Sequence, residues 1–248
     1  MRLYLIRHAQ SANNALWNGT DHVPGRSSDP EITSTGHRQA QQLAEHLSDP
    51  NAEPRQHPYK TVDHALFDLT HIYCSLMTRS ILTAQYVANQ TGLTLHALPD
   101  VFEKYGIYEV VDDGAMHGLP GPNKAYFSER FPDLILPHEF NPEGWWSRPA
   151  ETEEEFVTRV RGCVTRIRQQ SFGEEHRVAI VAHGDFIDQF INELMGVKRH
   201  AANYHSSDWV ANWTFHNTSI SRFDFQDDAC SVVYLNRVDH LAQDIITW

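Results

Sequence analysis

The chain has 248 residues, of which 41% are hydrophobic and 21% charged, and its formal net charge is −12. That is an ordinary globular composition with no run of about 18 apolar residues to span a bilayer. The acidic balance repels polyanions and argues against nucleic acid as a partner.

The first element is a short apolar run, Leu3 to Ile6, that feeds into Arg7-His8 and then a small, polar stretch. This pattern predicts a buried strand, beginning at Arg2, with a cation and an imidazole at its carboxyl end. Open α/β sheets bind ligands at that end. A strand starting directly after Met1 leaves no room for a signal peptide, so the expected location is cytoplasmic. Ala40, Leu43, Ala44 and Leu47 form an apolar stripe that predicts a helix over 34–48, with Thr33 or Ser34 as its cap. Three prolines mark 49–62 as a loop. A second strand is expected at 71–75, a helix from Thr78 to about Asn89, and a third strand at 93–98. Residues 99–150 are rich in Pro, Gly and aromatics and read as an insertion, with a short helix near 123–131. Acid-first, base-last residues over 151–170 suit a helix macrodipole. A strand at 177–182 runs into His183-Gly184 and a helix at 185–195. Alternating runs near 218–225 and 230–236 predict a closing hairpin turning at Gln226-Asp227-Asp228.

Strands alternating with helices predict a three-layer α/β/α fold with a mostly parallel, mixed central sheet. The expected organisation is one domain over 1–248, with the 99–150 insertion lying over the C-terminal strand edge as a specificity lid. Trp145, Trp146, Tyr108, Tyr126 and Phe127 are its candidate lining residues. Cys74, Cys163 and Cys230 lack metal or redox spacing and read as reduced core thiols. The scattered histidines His57, His64, His71 and His138 read as surface or satisfied core positions.

Two strand-ending histidines suggest two imidazoles converging on one site. The strings LYLIRHAQSANN (3–14) and RVAIVAHGDF (177–186) together resemble the histidine phosphatase, or phosphoglycerate mutase-like, superfamily, with Ala9 in place of a signature glycine. Ser75, Arg79, Thr83 and Ala84 are similar to a further family pattern, as is GRSSDPEITSTGHRQA (25–40), which reads as purely structural here. The stretch 131–156, with Gly-Trp-Trp and Glu-Thr, resembles the insert-to-helix passage of one subgroup.

The resemblance implies phosphoryl transfer through a phosphohistidine. His8 is the candidate nucleophile, with a backbone carbonyl expected to hold the proton on its non-attacking nitrogen. Arg7 and Arg79 would clamp the phosphate, since guanidinium forks match its oxygens. His183 would bond a phosphate oxygen, and Gly184 would open the amide end of the following helix to an anion. Gln10 and Asn14 are candidate rim donors, and a capping role fits Asn14 nearly as well. Glu103 is the candidate general acid, with Glu109 and Asp100 as rivals.

This arrangement needs no metal and no other cofactor. Its expected partner is a small phosphorylated metabolite. The expected activity is a metal-independent phosphatase acting on a small phosphate monoester. The alternatives are a phosphoglycerate-type mutase or a non-catalytic phosphate-binding relative. The mutase branch carries an Asn-Glu-Arg-His-Tyr-Gly type segment where this chain reads VFEKYG. A histidine-rich metal hydrolase would need better ligand spacing than His200/His205 or His64/His71 offer.

Overall fold

The computed structural model describes residues 1–17, 24–50, 52, 67–169, 175–197 and 212–248. Most of the predicted 49–62 loop lies outside the described residues, as do His57, His64, His200 and His205.

In chain order the elements are β1 (Arg2–Arg7), α1 (Ala12–Leu16), α2 (Ser34–Ser48), β2 (His71–Ser75), α3 (Thr78–Thr91) and β3 (Leu95–Leu98). Then come β4 (Tyr108–Val110), β5 (Met116–Gly118), α4 (Lys124–Arg130), α5 (Glu153–Gln169), β6 (Arg177–Ala182), α6 (Gly184–Met195), β7 (Ile220–Gln226) and β8 (Ala229–Arg237). The main sheet runs β3-β2-β6-β1-β7-β8. β1 is parallel to β6, and β2 is parallel to both β6 and β3, whereas β7 and β8 are antiparallel.

β1 is apolar from Leu3 to Ile6, where both of its faces are buried, as expected for a central strand of an α/β sheet. Tyr4 and Ile6 face α2 and α3 with Leu43, Ala44, Leu47, Ile81 and Ala84. Leu3 and Leu5 face α5 and α6 with Phe156, Val160, Phe186 and Phe190. No helix among the described residues is long and apolar enough to cross a membrane.

Thr33 caps α2 through a bond from Gly36 N. α2 then lies close against the loop after β1, since a Cβ on Gly36 would sit 2.3 Å from the Gln10 carbonyl oxygen. Gly36→Ala should therefore cost about 2 kcal/mol. For a chain of this size that lowers Tm by roughly 4–8 °C in a thermal melt, and an unchanged Tm would refute the close approach.

Three readings change. The helix predicted from 151 starts at Glu153. Glu151 is instead buried and makes a two-pronged pair with Arg159, at 2.7 and 2.8 Å. Cys74 and Cys163 are buried thiols, but Cys230 is exposed, because β8 is the outer strand of the sheet. Of the lid aromatics, Phe127 and Trp146 are core residues, packed in two different clusters. The left-handed Gly106 (φ 76°) makes room for the Trp146 ring, which a Cβ there would approach to 2.3 Å. Tyr108, Tyr126 and Trp145 remain half-buried.

Candidate active site

The register places the carboxyl ends of three strands side by side. Ile6 and Cys74 both pair with Val181, so Arg7-His8, Ser75 and His183 leave the sheet together. His8, Arg79 and His183 are buried. The rings of His8 and His183 lie 5.1 Å apart.

His8 Nδ1 is 2.7 Å from the carbonyl oxygen of Ala9. A carbonyl only accepts, so Nδ1 carries the proton and Nε2 keeps its lone pair. Arg79 Nε donates to that lone pair at 3.1 Å. Burial, and after it Arg79 and Arg7, hold the His8 imidazole well below its ordinary pKa. It is thus neutral at physiological pH, as a nucleophile must be.

Around His183, Met77 N donates to Ser75 Oγ, and Ser75 Oγ lies 2.6 Å from His183 Nε2. With Ser75 donating to Nε2, the His183 proton sits on Nδ1, which is buried without a partner among the described residues. Burial first, then Arg79 and His8, depress its pKa too. Arg7 Nη1 donates to the Phe215 carbonyl, while its buried Nε has no partner among the described residues. Arg7 Nε and, in that tautomer, His183 Nδ1 are thus two N–H donors without an acceptor among the described residues.

Arg79 is held by groups whose role sequence reasoning missed. Asp29 accepts from Thr78 N at 3.0 Å and Thr78 Oγ1 at 2.7 Å, and lies 3.9 Å from Arg79 Nη1. Thr83 Oγ1 donates to the Arg79 carbonyl and accepts from Ala9 N. Asp29 lies within the 25–40 segment that reads as purely structural, so the signal lay in the string itself.

The Glu103 carboxylate sits on the amino end of α6. It accepts from Phe186 N at 3.2 Å, Asp185 N at 3.4 Å and Lys104 N at 3.0 Å. The anion at this helix terminus is therefore the protein's own. At Gly184 a Cβ would meet Arg7 Nε at 3.5 Å, ordinary contact, so space alone does not force the glycine. Burial first, then Asp185, push the Glu103 carboxyl up to about 7, against the opposing pull of Arg79, the Lys104 amide and Arg7.

The loop carrying Glu103 is pinned from behind by Arg159, which donates to the carbonyls of Asp100 and Phe102 and stacks on the Phe102 ring at 3.5 Å. Asp100 itself pairs with Arg166, and Glu109 is exposed on β4. Of the three carboxylates, Glu103 is the one whose charge is coupled to both Arg7 and Arg79.

The remaining two residues serve the scaffold. The Gln10 side-chain oxygen accepts from Thr33 Oγ1. Asn14 completes a capping box with Ser11 and accepts from Asn217 Nδ2, which also donates to the His8 carbonyl.

The sequence model of the histidine phosphatase superfamily (branch 1) matches residues 3–57 and 61–238. A protein of Hydrogenobacter thermophilus, "Putative phosphoserine phosphatase 2", is 26% identical over 98% of both chains. "Probable phosphoglycerate mutase GpmB" of Yersinia pestis is 22% identical over 92% of this chain and 86% of that one. Among solved structures, phosphoserine phosphatase of Entamoeba histolytica, in complex with 3-phosphoglyceric acid, superposes with a TM-score of 0.55. It is 20% identical and covers 97% of this chain and 99% of its own.

Proposed function

The chain belongs to the histidine phosphatase superfamily, and we propose that within this family of phosphatases and mutases it hydrolyses small phosphate monoesters through a phosphohistidine on His8, without a metal. The observation that carries this reading is the protonation pattern at His8, with Nδ1 tied to a carbonyl and Nε2 facing Arg79.

The substrate phosphate lies in the recess between Arg7 Nε, His183 Nδ1 and the Arg79 fork. Its oxygens take the Arg79 Nε–H away from His8, which frees the lone pair. His8 Nε2 attacks phosphorus and the P–O bond to the leaving group breaks. Glu103 gives its proton to the departing oxygen, then takes one from the water that attacks phospho-His8, so the enzyme returns to its starting state.

Water as acceptor is supported by the engagement of three of the four cations of the insertion. Lys104 pairs with Glu153, Arg130 with Glu31, and Arg148 lies over Trp146. The 99–150 segment sets specificity in this reading. The relatives named phosphoserine phosphatase make a small phosphorylated metabolite the class to screen.

The test is phosphate release from a panel of small monoesters in EDTA, with rapid quenching to trap an acid-labile, base-stable phosphoenzyme. Transfer to a second hydroxyl of a phosphoglycerate instead of water would make it a mutase. Arg79→Lys should lower kcat/KM about 10²–10³-fold. It should weaken inhibition by vanadate to a similar degree, because both depend on the fork. A loss under threefold would remove Arg79 from the clamp.

A further inference from the structure

A second cluster lies outside the phosphate site. His46, on α2, meets Asp239 and His240, which follow β8, and one ligand atom from each lies within 4.8 Å of the others. The imidazoles stack, with centroids 5.2 Å apart and planes 25° from parallel. His46 Nε2 and His240 Nδ1 are both buried with no hydrogen-bond partner among the described residues.

The surrounding bonds fix the tautomer of His240. Thr218 Oγ1 spends its only proton on the Asn217 carbonyl, at 2.8 Å. At its 3.3 Å contact with His240 Nε2 it therefore accepts, and Nε2 carries the proton. The buried Nδ1 is left with a lone pair. Asp239 is held by Arg237 Nε and Nη2 and by its own amide, and its carboxylate keeps a further lone pair. Two unsatisfied ring nitrogens side by side are unfavourable, and a cation bound by His240 Nδ1 together with the His46 tautomer that leaves Nε2 unprotonated satisfies both. Arg237 opposes a cation here, while Asp239 and the nearby Asp49 favour one.

We propose that His46, Asp239 and His240 form a binding site for a first-row divalent cation, zinc foremost. Two imidazoles and one carboxylate suit zinc or cobalt, with a fourth position for water. The bond from His240 to Thr218 is the outer-shell contact that orients such a ligand. The ion would tie α2 to the segment after β8. Thr218 N also donates to the carbonyls of Arg7 and His8, at 3.0 and 3.4 Å, so the clasp is joined through Thr218 to the backbone of the proposed nucleophile. None of the histidine pairs weighed from spacing belongs to it, because His46 and His240 are brought together only by the fold.

The test is a cobalt titration of EDTA-treated, dialysed protein, followed by visible absorption, with zinc competition and thermal melts. About one equivalent of cobalt should bind saturably, zinc should displace it, and zinc should raise Tm. His46→Ala and His240→Ala should each weaken zinc binding at least tenfold. So should Asp239→Asn, which alters an exposed side chain and leaves the core intact. The exposed His138→Ala should bind as wild type does. No saturable cobalt spectrum, or zinc affinity that survives either Asp239→Asn or both histidine variants, overturns the site. Phosphate release in EDTA is read separately, so failure of this site and failure of the phosphatase reading are distinguishable.

Discussion

Replacing His8 with alanine should lower kcat/KM for phosphate release by about 10³-fold or more, equivalent to about 4 kcal/mol of transition-state stabilisation. The covalent route has no substitute in the recess. Among the described residues His183 is the other imidazole there, and its Nε2 is committed to Ser75. What remains in the variant is the oxyanion recess, which still binds phosphate and polarises it for direct attack by water. The variant should therefore lose the trapped phosphoenzyme entirely while keeping measurable affinity for vanadate. Among the described residues the His8 ring is hydrogen-bonded to the Ala9 carbonyl and to Arg79, so circular dichroism should report an intact fold. Retention of more than a tenth of the wild-type activity, or a phosphoenzyme of unchanged amount, would mean that the nucleophile is another residue.

Much of this site was legible in the sequence because it is built from strand ends. An apolar run that stops at Arg7-His8, and another that stops at His183, each place a side chain to within a residue, since a strand buried on both faces has a sharp composition boundary. β7 and β8 were legible for a different reason, the alternating pattern of strands at the edge of the sheet, and their turn falls at Asp227, in the left-handed region (φ 51°). The short elements were not. α1 has five residues and no buried side chain, and β4–β5 pairs only three residues on each side, so neither leaves a periodic trace. Partners across the fold were also invisible. Asp29 reaches Arg79 over 50 residues, and Glu151–Arg159 braces the Glu103 loop from the start of a helix whose sequence showed only its charge order. Charge order along 151–170 suggested a dipole argument for Glu151, whereas burial decided its role: a carboxylate that is 8% exposed needs a partner more than a helix terminus does.

Glu103→Gln carries the second large effect, and its size should depend on the leaving group. An alkyl phosphate needs a proton on the departing oxygen, so kcat/KM should fall about 10²–10⁴-fold. An aryl phosphate with an acidic phenol leaves unaided. The variant should then phosphorylate His8 at a near-normal rate and stall, giving a burst followed by slow turnover for want of a base. With the carboxyl at about 7, wild-type kcat/KM on the alkyl ester should decline as pH rises through 7, and the variant should lack that limb. The same shift has a stability consequence of defined sign. Between the ordinary glutamate pKa and about 7 the folded protein holds a proton that the unfolded chain has released, so this group's contribution to stability falls as pH rises across that window. Glutamine has no proton to lose, and its carbonyl oxygen still accepts from the α6 amides. The difference in Tm, variant minus wild type, should therefore grow more positive from pH 4 to pH 8 (~4 pH units, bracketing the shift). Parallel melting curves across that range would show that Glu103 titrates as an ordinary carboxylate, and the acid would then have to be sought elsewhere in the recess. A positive difference together with loss of the alkaline limb would tie the destabilised carboxyl and the proton donor to one side chain, a strained group kept for its chemistry at the expense of stability.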